Sequence, residues 1–385
     1  MPPARRSCGS DRRDLPLTHG SGVSVTAPLG KRGICRLVCS VKEFTVLSLP
    51  RRSQEVRLAA VPDGLPRPEH FVVVDRPMPV TGAGQALVRN RFFQVSARLR
   101  TLLSGAAEGT PLPAVRPGQS LPSATIGEII TAPGDSGLRP GQLVFHWSGW
   151  REYAAVPVAQ CSPLDDTLPD PVAHLGSGWT AHAALTSYAR LRPGETVLVT
   201  GGAGGVGSLA GQIARRLGAA RVIGSTGTPA KADRMREELG YDAVLVRGAG
   251  SVAAQLARAA PEGIDVLVDN VGGDQLGAAV AAARPGARFT LVGTLASQLS
   301  PAGSGTVAPV DIDAYQIILK GISIRGFTNP PDDRARSEWA VRFGNWLRPG
   351  ELSFPHVRLP GLDGAARALH DVIRGRYVGT VVVVL

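Results

Sequence analysis

A glycine-rich turn that joins an apolar strand to an amphipathic helix constrains this chain more than any other feature. Residues 196–218 read TVLVTGGAGGVGSLAGQIARRLG. Thr196–Thr200 predicts a strand, and the apolar residues after the glycines recur at helical spacing. Gly202, Gly204 and Gly207 fit the pattern G-x-G-x-x-G, whose glycines permit a tight turn, close approach to a pyrophosphate and close helix–strand packing. The sequence therefore predicts a dinucleotide-binding unit.

The backbone of this turn is expected to hold the phosphates. A helix N-terminus leaves unpaired N–H groups and carries a partial positive charge, and both attract an anion. Glycine-rich turns also occur as plain loops, but the alternation of strands and helices that follows favours the binding site. The residues predicted to bind the cofactor here are Gly202, Gly204, Gly205, Val206 and Gly207.

The positive charge is concentrated at one end of the sequence. Of the formal net charge of +11 on 385 residues, most comes from residues 1–52, which hold ten Lys and Arg residues and three Asp and Glu residues. The rest of the chain is only mildly basic, so nucleic acid is not its expected partner. Residues 1–52 lack sustained periodicity and predict a disordered extension; a nucleic-acid arm and a targeting segment are the alternatives.

Cysteine usage indicates a cytoplasmic protein. Three of the four cysteines lie in residues 1–52, which leaves Cys161 alone in the body. The sequence has neither a run of 18 apolar residues nor the apolar region of a secretory signal. A reducing compartment and no membrane association are therefore expected.

The pattern of strands and helices predicts two domains. Hydrophobic residues make up 43% and charged residues 19%, and the chain is long enough for two cores. Turn residues separate short strands that predict an all-β unit: Phe71–Asp75, Gln85–Asn90, Ser123–Ile130, Leu143–Phe145 and Glu152–Pro157.

After Pro171 strands and helices alternate, as a parallel sheet requires. The predicted strands are Thr196–Thr200, Arg221–Ser225, Ala243–Arg247, Asp265–Asn270, Arg288–Val292 and Ser323–Phe327. The predicted helices are Val206–Leu217, Pro229–Leu239, Val252–Ala260, Gln275–Ala283 and Ile312–Leu319. Two further helices, near Arg334–Trp346 and Gly364–Arg374, precede a strand at Gly379–Leu385 that is expected to return to the β unit.

The motifs of the chain resemble those of the medium-chain dehydrogenase/reductases. The resemblance is carried by GWTAH at 178–182, AGGVGSLAGQIAR at 203–215 and VDNVGG at 268–273. It is strongest to the zinc-independent branch of prostaglandin reductases and alkenal double-bond reductases, and it covers about residues 53–385.

This resemblance implies an α/β fold with a Rossmann-type doubly wound parallel sheet inserted in a GroES-like β-barrel domain. The barrel would take residues 53–175, with 330–385 returning to it, and the NADP-binding domain residues 176–329. The resemblance also implies NADPH in the cleft and a homodimer, joined through the edge strand Ser323–Phe327.

The end of the second parallel strand bears on the choice of cofactor. NAD sites commonly place Asp or Glu there, about 20 residues beyond the glycines. Here the strand ends in Ser225 and Thr226 without a carboxylate, and Lys231 follows. Hydroxyls and a cation attract a 2′-phosphate that a carboxylate would repel, so NADP is expected. The resemblance adds Arg247 near the same phosphate; a solvated surface charge is the alternative for Lys231 and Arg247.

Two later strands also end in residues predicted to bind the cofactor. Asn270 follows the fourth strand, and Gly293 and Thr294 follow the fifth. Ligands bind at the carboxyl ends of the strands in an open α/β sheet. An ordinary turn is the alternative at both places.

No metal site is expected. Catalytic zinc needs about three protein ligands, and the body offers Cys161 without any clustered cysteines. The remaining chemistry is hydride transfer from NADPH to a C=C bond conjugated with a carbonyl, which needs a donor to the developing enolate oxygen and a source of a proton.

Two residues are candidates for this catalysis. His182 stands where the resembling family typically has a tyrosine, and Tyr315 lies in a helix similar to one that carries a family tyrosine. Packing is the alternative role for both. Trp147 and Trp150 are candidates for a pocket wall or for the core.

The half of the pattern that concerns the substrate departs from the family. Residues 96–100 read SARLR where relatives usually have Asp-Pro-Tyr-Met-Arg. The expected function is NADPH-dependent reduction of an enone, enal or enoyl substrate. A zinc-free quinone reductase and a non-catalytic NADPH-binding protein remain the alternatives.

Overall fold

Short strands form the first part of the described chain, as the turn residues between its short apolar runs predict. The computed structural model describes residues 49–105, 114–300, 306–328 and 332–385. Residues 1–48, most of the predicted extension, lie outside these ranges. The elements up to residue 163 are β1 (Arg52–Leu58), β2 (Phe71–Pro77), β3 (Gln85–Val95), α1 (Leu99–Leu103), β4 (Thr125–Thr131), β5 (Leu143–His146), β6 (Tyr153–Pro157) and β7 (Ser162–Pro163).

Helices and strands then alternate, and every predicted strand and helix of this part forms. The elements are α2 (Gly178–Ala183), β8 (Thr196–Val199), α3 (Gly207–Arg216), β9 (Arg221–Thr226), α4 (Pro229–Glu238), β10 (Ala243–Val246), α5 (Val252–Ala259), β11 (Ile264–Asp269), α6 (Asp274–Ala281), β12 (Ala283–Leu291), α7 (Leu295–Gln298), α8 (Ala314–Lys320) and β13 (Ser323–Gly326).

The final segment adds two helices and two strands. They are α9 (Asp333–Leu347), β14 (His356–Pro360), α10 (Ala365–Ile373) and β15 (Thr380–Val384). The Asp332 side chain accepts a hydrogen bond from the Ala335 N–H and so caps the start of α9. Among the described helices, none is long and apolar enough to cross a membrane.

Six parallel strands form a sheet in the order β10-β9-β8-β11-β12-β13. Numbered from β8, this is 3-2-1-4-5-6, the Rossmann order. The chain leaves β8 to one side for β9 and β10 and to the other side for β11 to β13. Ligands bind at the carboxyl ends of the strands where the order reverses, which here is between β8 and β11.

A second sheet brings distant parts of the chain together. Its order is β14-β15-β3-β4-β5-β7, with β6 paired to β3. Strand β15 lies antiparallel to β3, with Val381 opposite Val95, so the predicted return of the last strand to the β unit is confirmed. The fold class is therefore the predicted one. The exact domain boundaries, residues 175/176 and 329/330, stay predictions.

One buried tyrosine fixes the helix after the glycine turn. The Tyr241 hydroxyl donates to the Gly207 carbonyl oxygen at 2.7 Å. A Cβ atom at Gly211 would lie 2.5 Å from the Tyr241 ring, and one at Gly224 would lie 2.8 Å from it. Because these two positions lack a side chain, α3 and β9 pack directly against the Tyr241 ring. The Tyr241 hydroxyl then fixes the first turn of α3 through its bond to Gly207.

The carboxy-terminal segment contacts the glycine turn directly. The Gly379 N–H donates to the Ala203 carbonyl oxygen at 2.9 Å. Gly379 has a φ of +82°, and a Cβ atom there would lie 2.0 Å from the Pro355 carbonyl oxygen. Only glycine fits, because the position combines left-handed backbone with a close approach. The entry to β15 thus positions one wall of the site.

Candidate cofactor and substrate site

A buried carboxylate organises the loop after β11. The Thr200 hydroxyl donates to Asp269 Oδ1 at 2.5 Å and accepts from the Asn270 N–H at 2.8 Å. Asp269 Oδ1 also accepts from the N–H groups of Val271 and Gly272, both at 3.0 Å. Asp269 is buried, and these bonds satisfy its charge. The carboxylate therefore joins the ends of β8 and β11 across the point where the strand order reverses.

Ser225 holds the glycine turn from the neighbouring strand. Its hydroxyl accepts from the Gly201 N–H at 3.0 Å, and its carbonyl accepts from the Gly202 N–H at 2.7 Å. The same hydroxyl donates to Gln275 Oε1 at 2.5 Å. The sequence predicts that Ser225 binds the cofactor. In the structure its hydroxyl and carbonyl groups bond to the backbone of the glycine turn.

The turn itself leaves room for an anion. A Cβ atom at Gly207 would lie 2.4 Å from the Gly201 carbonyl oxygen, so the turn closes on its own backbone there. At Gly205 a Cβ atom would meet nothing nearer than the Thr380 and Ser177 hydroxyl oxygens, at 3.5 and 3.7 Å. The Thr380 hydroxyl is buried and has no hydrogen-bond partner among the described residues. This open, polar space above a helix N-terminus fits a pyrophosphate.

Two cations converge at the end of β9. Lys231 is half-buried and its ammonium donates to the Gly375 carbonyl oxygen. Burial, and then the charges of Arg234 and Arg247, lower the pKa of Lys231. A Cβ atom at Gly227 would lie 3.2 Å from Arg247 Nη2, so the guanidinium lies over the turn after β9.

The same two cations have no carboxylate partner within the described ranges. Arg234 pairs with Glu238, but neither Lys231 nor Arg247 forms a salt bridge there. Holding two like charges together in a partly desolvated place costs free energy unless an anion binds between them. The arrangement fits a phosphate next to the predicted ribose position.

The other cofactor candidates lie at the same edge of the sheet. Asn270 Nδ2 donates to the Thr200 carbonyl oxygen at 2.8 Å. The Gly293 N–H donates to the Asp269 carbonyl oxygen at 3.1 Å, and Thr294 directly precedes α7. A Cβ atom at Gly293 would lie 3.1 Å from the Asn270 carbonyl oxygen, so the loops after β11 and β12 nearly touch. Asn270, Gly293 and Thr294 therefore lie together at the carboxyl ends of β11 and β12.

His182 lies in an aromatic cluster between α2 and α9. Its ring centroid is 4.8 Å from that of Trp339, and Arg342 Nη1 lies 3.5 Å from His182 Nε2. Gly178, one turn earlier, approaches so closely that a Cβ atom would lie 2.6 Å from the Trp339 ring. Burial and then Arg342 lower the pKa of His182 to about 4, so the imidazole is neutral at neutral pH. This placement favours the packing alternative, and the catalytic role stays a prediction.

Tyr315 lies on the outer surface of α8. Its side chain is 65% exposed, and its N–H is capped by Asp313 Oδ1 at 2.9 Å. The helix packs against β12 and α6, on the flank of the sheet. Its catalytic role also stays a prediction.

The contacts of several residues that shape the site could not be predicted from the sequence. Gly375 offers a carbonyl oxygen to Lys231 across 144 positions, and Tyr241 supports Gly207 across 34. Asp269 is part of the VDNVGG motif, yet its carboxylate proves to be the buried centre of the loop.

Comparison with known proteins agrees with this geometry. One family model, described as "N-terminal domain of oxidoreductase", matches residues 54–164, and another, "Zinc-binding dehydrogenase", matches residues 205–343. NADPH-dependent curcumin reductase of Escherichia coli is 28% identical over 343 residues, 86% of this chain and 97% of that protein. Prostaglandin reductase-3 of Mus musculus is 30% identical over 257 residues, 66% of each protein. The chain belongs to the zinc-independent medium-chain dehydrogenase/reductases.

A solved member of this family shows the same architecture. The crystal structure of CurA from Vibrio vulnificus in complex with NADPH has a TM-score of 0.77 and 26% identity to this medium-chain reductase. The similarity covers 86% of this chain and 98% of that one. In the described part of the chain, no three His, Cys, Asp or Glu side chains are grouped so that they could hold a metal ion.

Replacing Lys231 tests the phosphate site of this reductase. In Lys231→Ala we expect the KM for NADPH to rise about tenfold or more, because a charge-assisted bond to phosphate is worth about 1.5–3 kcal/mol. The KM for NADH should change little. Steady-state kinetics with both cofactors measure this. Arg236→Ala is the control, since Arg236 lies on the same helix and pairs with Asp233. Equal changes for NADPH and NADH would contradict the assignment.

His182 predicts a pH dependence of stability. The folded pKa of about 4 lies below the ordinary value of 6.5, so the unfolded chain binds a proton that the folded chain does not. The free energy of unfolding should therefore fall as pH falls from about 6.5 through 4. In His182→Phe this loss should be smaller in denaturant titrations at pH 7, 5.5 and 4. Normal NADPH binding with normal turnover in this variant excludes the catalytic role, whereas an unchanged pH slope contradicts the buried neutral imidazole.

Proposed function

We propose that this chain is an NADPH-dependent reductase that reduces a C=C bond conjugated with a carbonyl by metal-free hydride transfer. The observation that carries the proposal is the pair of cations Lys231 and Arg247, without a carboxylate partner among the described residues, beside a Rossmann glycine turn. Its support is the similarity, over nearly the whole relative, to an NADPH-dependent curcumin reductase. NADPH supplies a hydride when it is bound.

The chain's own groups bind and orient the cofactor. The backbone N–H groups of the turn at Gly204 and Gly205 and of the N-terminus of α3 would donate to the pyrophosphate, and Lys231 and Arg247 would donate to the 2′-phosphate. Tyr241 and Asp269 hold the loops in this arrangement through buried hydrogen bonds. Such preorganised groups are not reorganised when the ligand binds, which favours tight and oriented binding.

A substrate panel tests the activity. Purified protein with NADPH is incubated with enones, enals and quinones, and the products are identified by mass spectrometry. We expect one NADPH to be consumed for each saturated ketone or aldehyde formed, with NADH a much poorer donor. Reduction of quinones alone would show the quinone reductase instead. Binding of NADPH without turnover of any acceptor would show a non-catalytic binding protein.

We further propose a homodimer that covers the outer strand of the parallel sheet. Strand β13 pairs only with β12 among the described strands, so its other edge is open. On α8, Ile318 is 74% exposed and Leu319 is 60% exposed, next to Tyr315. An unpaired strand edge beside an exposed apolar helix face favours association with another chain. A second copy of this chain offers the same β13 edge and the same helix face.

The molar mass in solution tests the dimer. Light scattering after size-exclusion chromatography should give twice the chain mass for the unaltered protein and one chain mass for Ile318→Glu. Val80→Glu places the same charge on an exposed apolar residue of the β unit and should leave the mass unchanged. A monomer before substitution contradicts the proposal.

We also propose a cytoplasmic location. The support is a single cysteine in the body of the chain, Cys161, which is buried as a free thiol. Fractionation of cells that express the tagged chain measures the location, and recovery with membranes or in a secreted fraction contradicts it.

A further inference from the structure

The turn between β5 and β6 exposes one indole and buries another. Trp147 is 53% exposed, whereas Trp150 is completely buried. The Trp150 ring lies against Phe71 and Phe93, with centroid distances of 6.0 and 5.4 Å. The sequence allows either tryptophan to line a pocket or to join the core; the structure places Trp150 in the core and leaves Trp147 at the surface.

Hydrogen bonds from Ser123 and Asn90 fix the backbone of this turn to the β sheet. The Trp147 carbonyl oxygen accepts from the Ser123 N–H at 3.1 Å, and the Ser148 N–H donates to His146 Nδ1 at 3.1 Å. Asn90 Nδ2 donates to the carbonyl oxygens of Ser148 and Arg151, at 2.9 and 2.8 Å. Trp147 is therefore presented on a rigid support, so its immobilisation costs little when a ligand binds.

The backbone at Trp150 is strained, and burial of its side chain offsets the cost. Trp150 has a φ of +58°, a left-handed conformation that bulky residues rarely adopt. Its carbonyl oxygen accepts from the Val56 N–H at 2.8 Å, which fixes this geometry from strand β1. Such outliers persist where the surroundings over-determine them, and they concentrate at functional sites. The strained residue here lies three positions from the exposed indole.

A chain of packed neighbours links the exposed indole to residues beside the glycine turn. Phe145 packs with Leu175 in one cluster, and the Trp147 ring meets the Phe145 ring edge-on at 5.6 Å. Gln94 Nε2 donates to the Leu175 carbonyl oxygen at 2.9 Å. Two residues after Leu175, the Ser177 hydroxyl lies 3.7 Å from the Cβ position of Gly205. Trp147 is thus connected to the glycine turn through Phe145, the cluster that contains Leu175, and Ser177.

We infer that Trp147 determines substrate specificity by stacking on planar conjugated substrates, so that aryl-substituted enones are preferred over aliphatic enones of the same core. This inference rests on the proposed reductase function. An exposed indole offers a large, flat apolar face with a quadrupole that favours offset stacking on an aromatic ring. The conjugated C=C–C=O group of an aryl enone is coplanar with its aromatic ring. An indole that stacks on the ring therefore also orients the C=C bond.

A matched pair of substrates tests the inference. The pair is 4-phenylbut-3-en-2-one and pent-3-en-2-one, which differ only in phenyl against methyl at the β carbon. In Trp147→Ala we expect the ratio of kcat/KM for the phenyl over the methyl enone to fall about tenfold, mainly through KM of the phenyl enone. Trp147→Phe should restore most of the ratio. Val341→Ala, at an equally exposed apolar residue on α9, should keep it.

Two results overturn the inference. One is a ratio in Trp147→Ala within twofold of the unaltered protein, and the other is loss of kcat for both enones alike. If the unaltered protein reduces neither enone, the proposed function fails. The inference about Trp147 is then tested by calorimetric titration of 4-phenylbutan-2-one into protein saturated with NADP+. Weaker binding to Trp147→Ala then supports the aromatic platform, and equal binding overturns it.

Discussion

The hydrogen bond between the Thr200 hydroxyl and the Asp269 carboxylate is the interaction on which the site depends. It joins the ends of β8 and β11, the two strands between which the sheet order reverses. A buried carboxylate is costly unless it is fully bonded, and here one hydroxyl and two backbone N–H groups satisfy it. Because the same oxygen holds both loops, neither loop can move without breaking the bonds of the other. The crevice for a dinucleotide is therefore a fixed part of the fold.

Electrostatics divides this crevice into two regions. Near the glycine turn the attraction comes from backbone N–H groups and carries no formal charge, whereas at the end of β9 it comes from Lys231 and Arg247. In the proposed binding mode, the first region would suit any dinucleotide, and the second would distinguish the phosphorylated form. The proposed selectivity thus depends on a small part of the surface, where burial and then the charges of Arg234 and Arg247 lower the pKa of Lys231.

The sequence predicts the backbone pattern of this protein better than its side-chain partners. The glycine turn, the alternation after Pro171 and the missing carboxylate after Gly224 depend on neighbours in the chain, and the structure places them as expected. Strand β14 was not expected, because its pairing with β15 depends on residues far away. The position of His182 against Trp339 likewise depends on a helix more than 150 residues later. The contacts of the Ser225 hydroxyl with Gly201 and Gln275 likewise depend on tertiary structure, and its predicted role in cofactor binding stays a prediction.

The return of β15 to the first domain has a consequence for folding during synthesis. Strand β6 pairs with residues 85–89 of β3, but residues 92–95 on the same side pair with residues 381–384, so this part of the edge stays unpaired until residues 381–384 have left the ribosome. The parallel sheet between them is continuous in sequence and can form first, since domains fold as units during translation. The barrel is then closed last, by the same segment in which Gly379 binds the glycine turn. Completion of the first domain and of the cofactor crevice is therefore a single late event, with a high sequence separation that slows it.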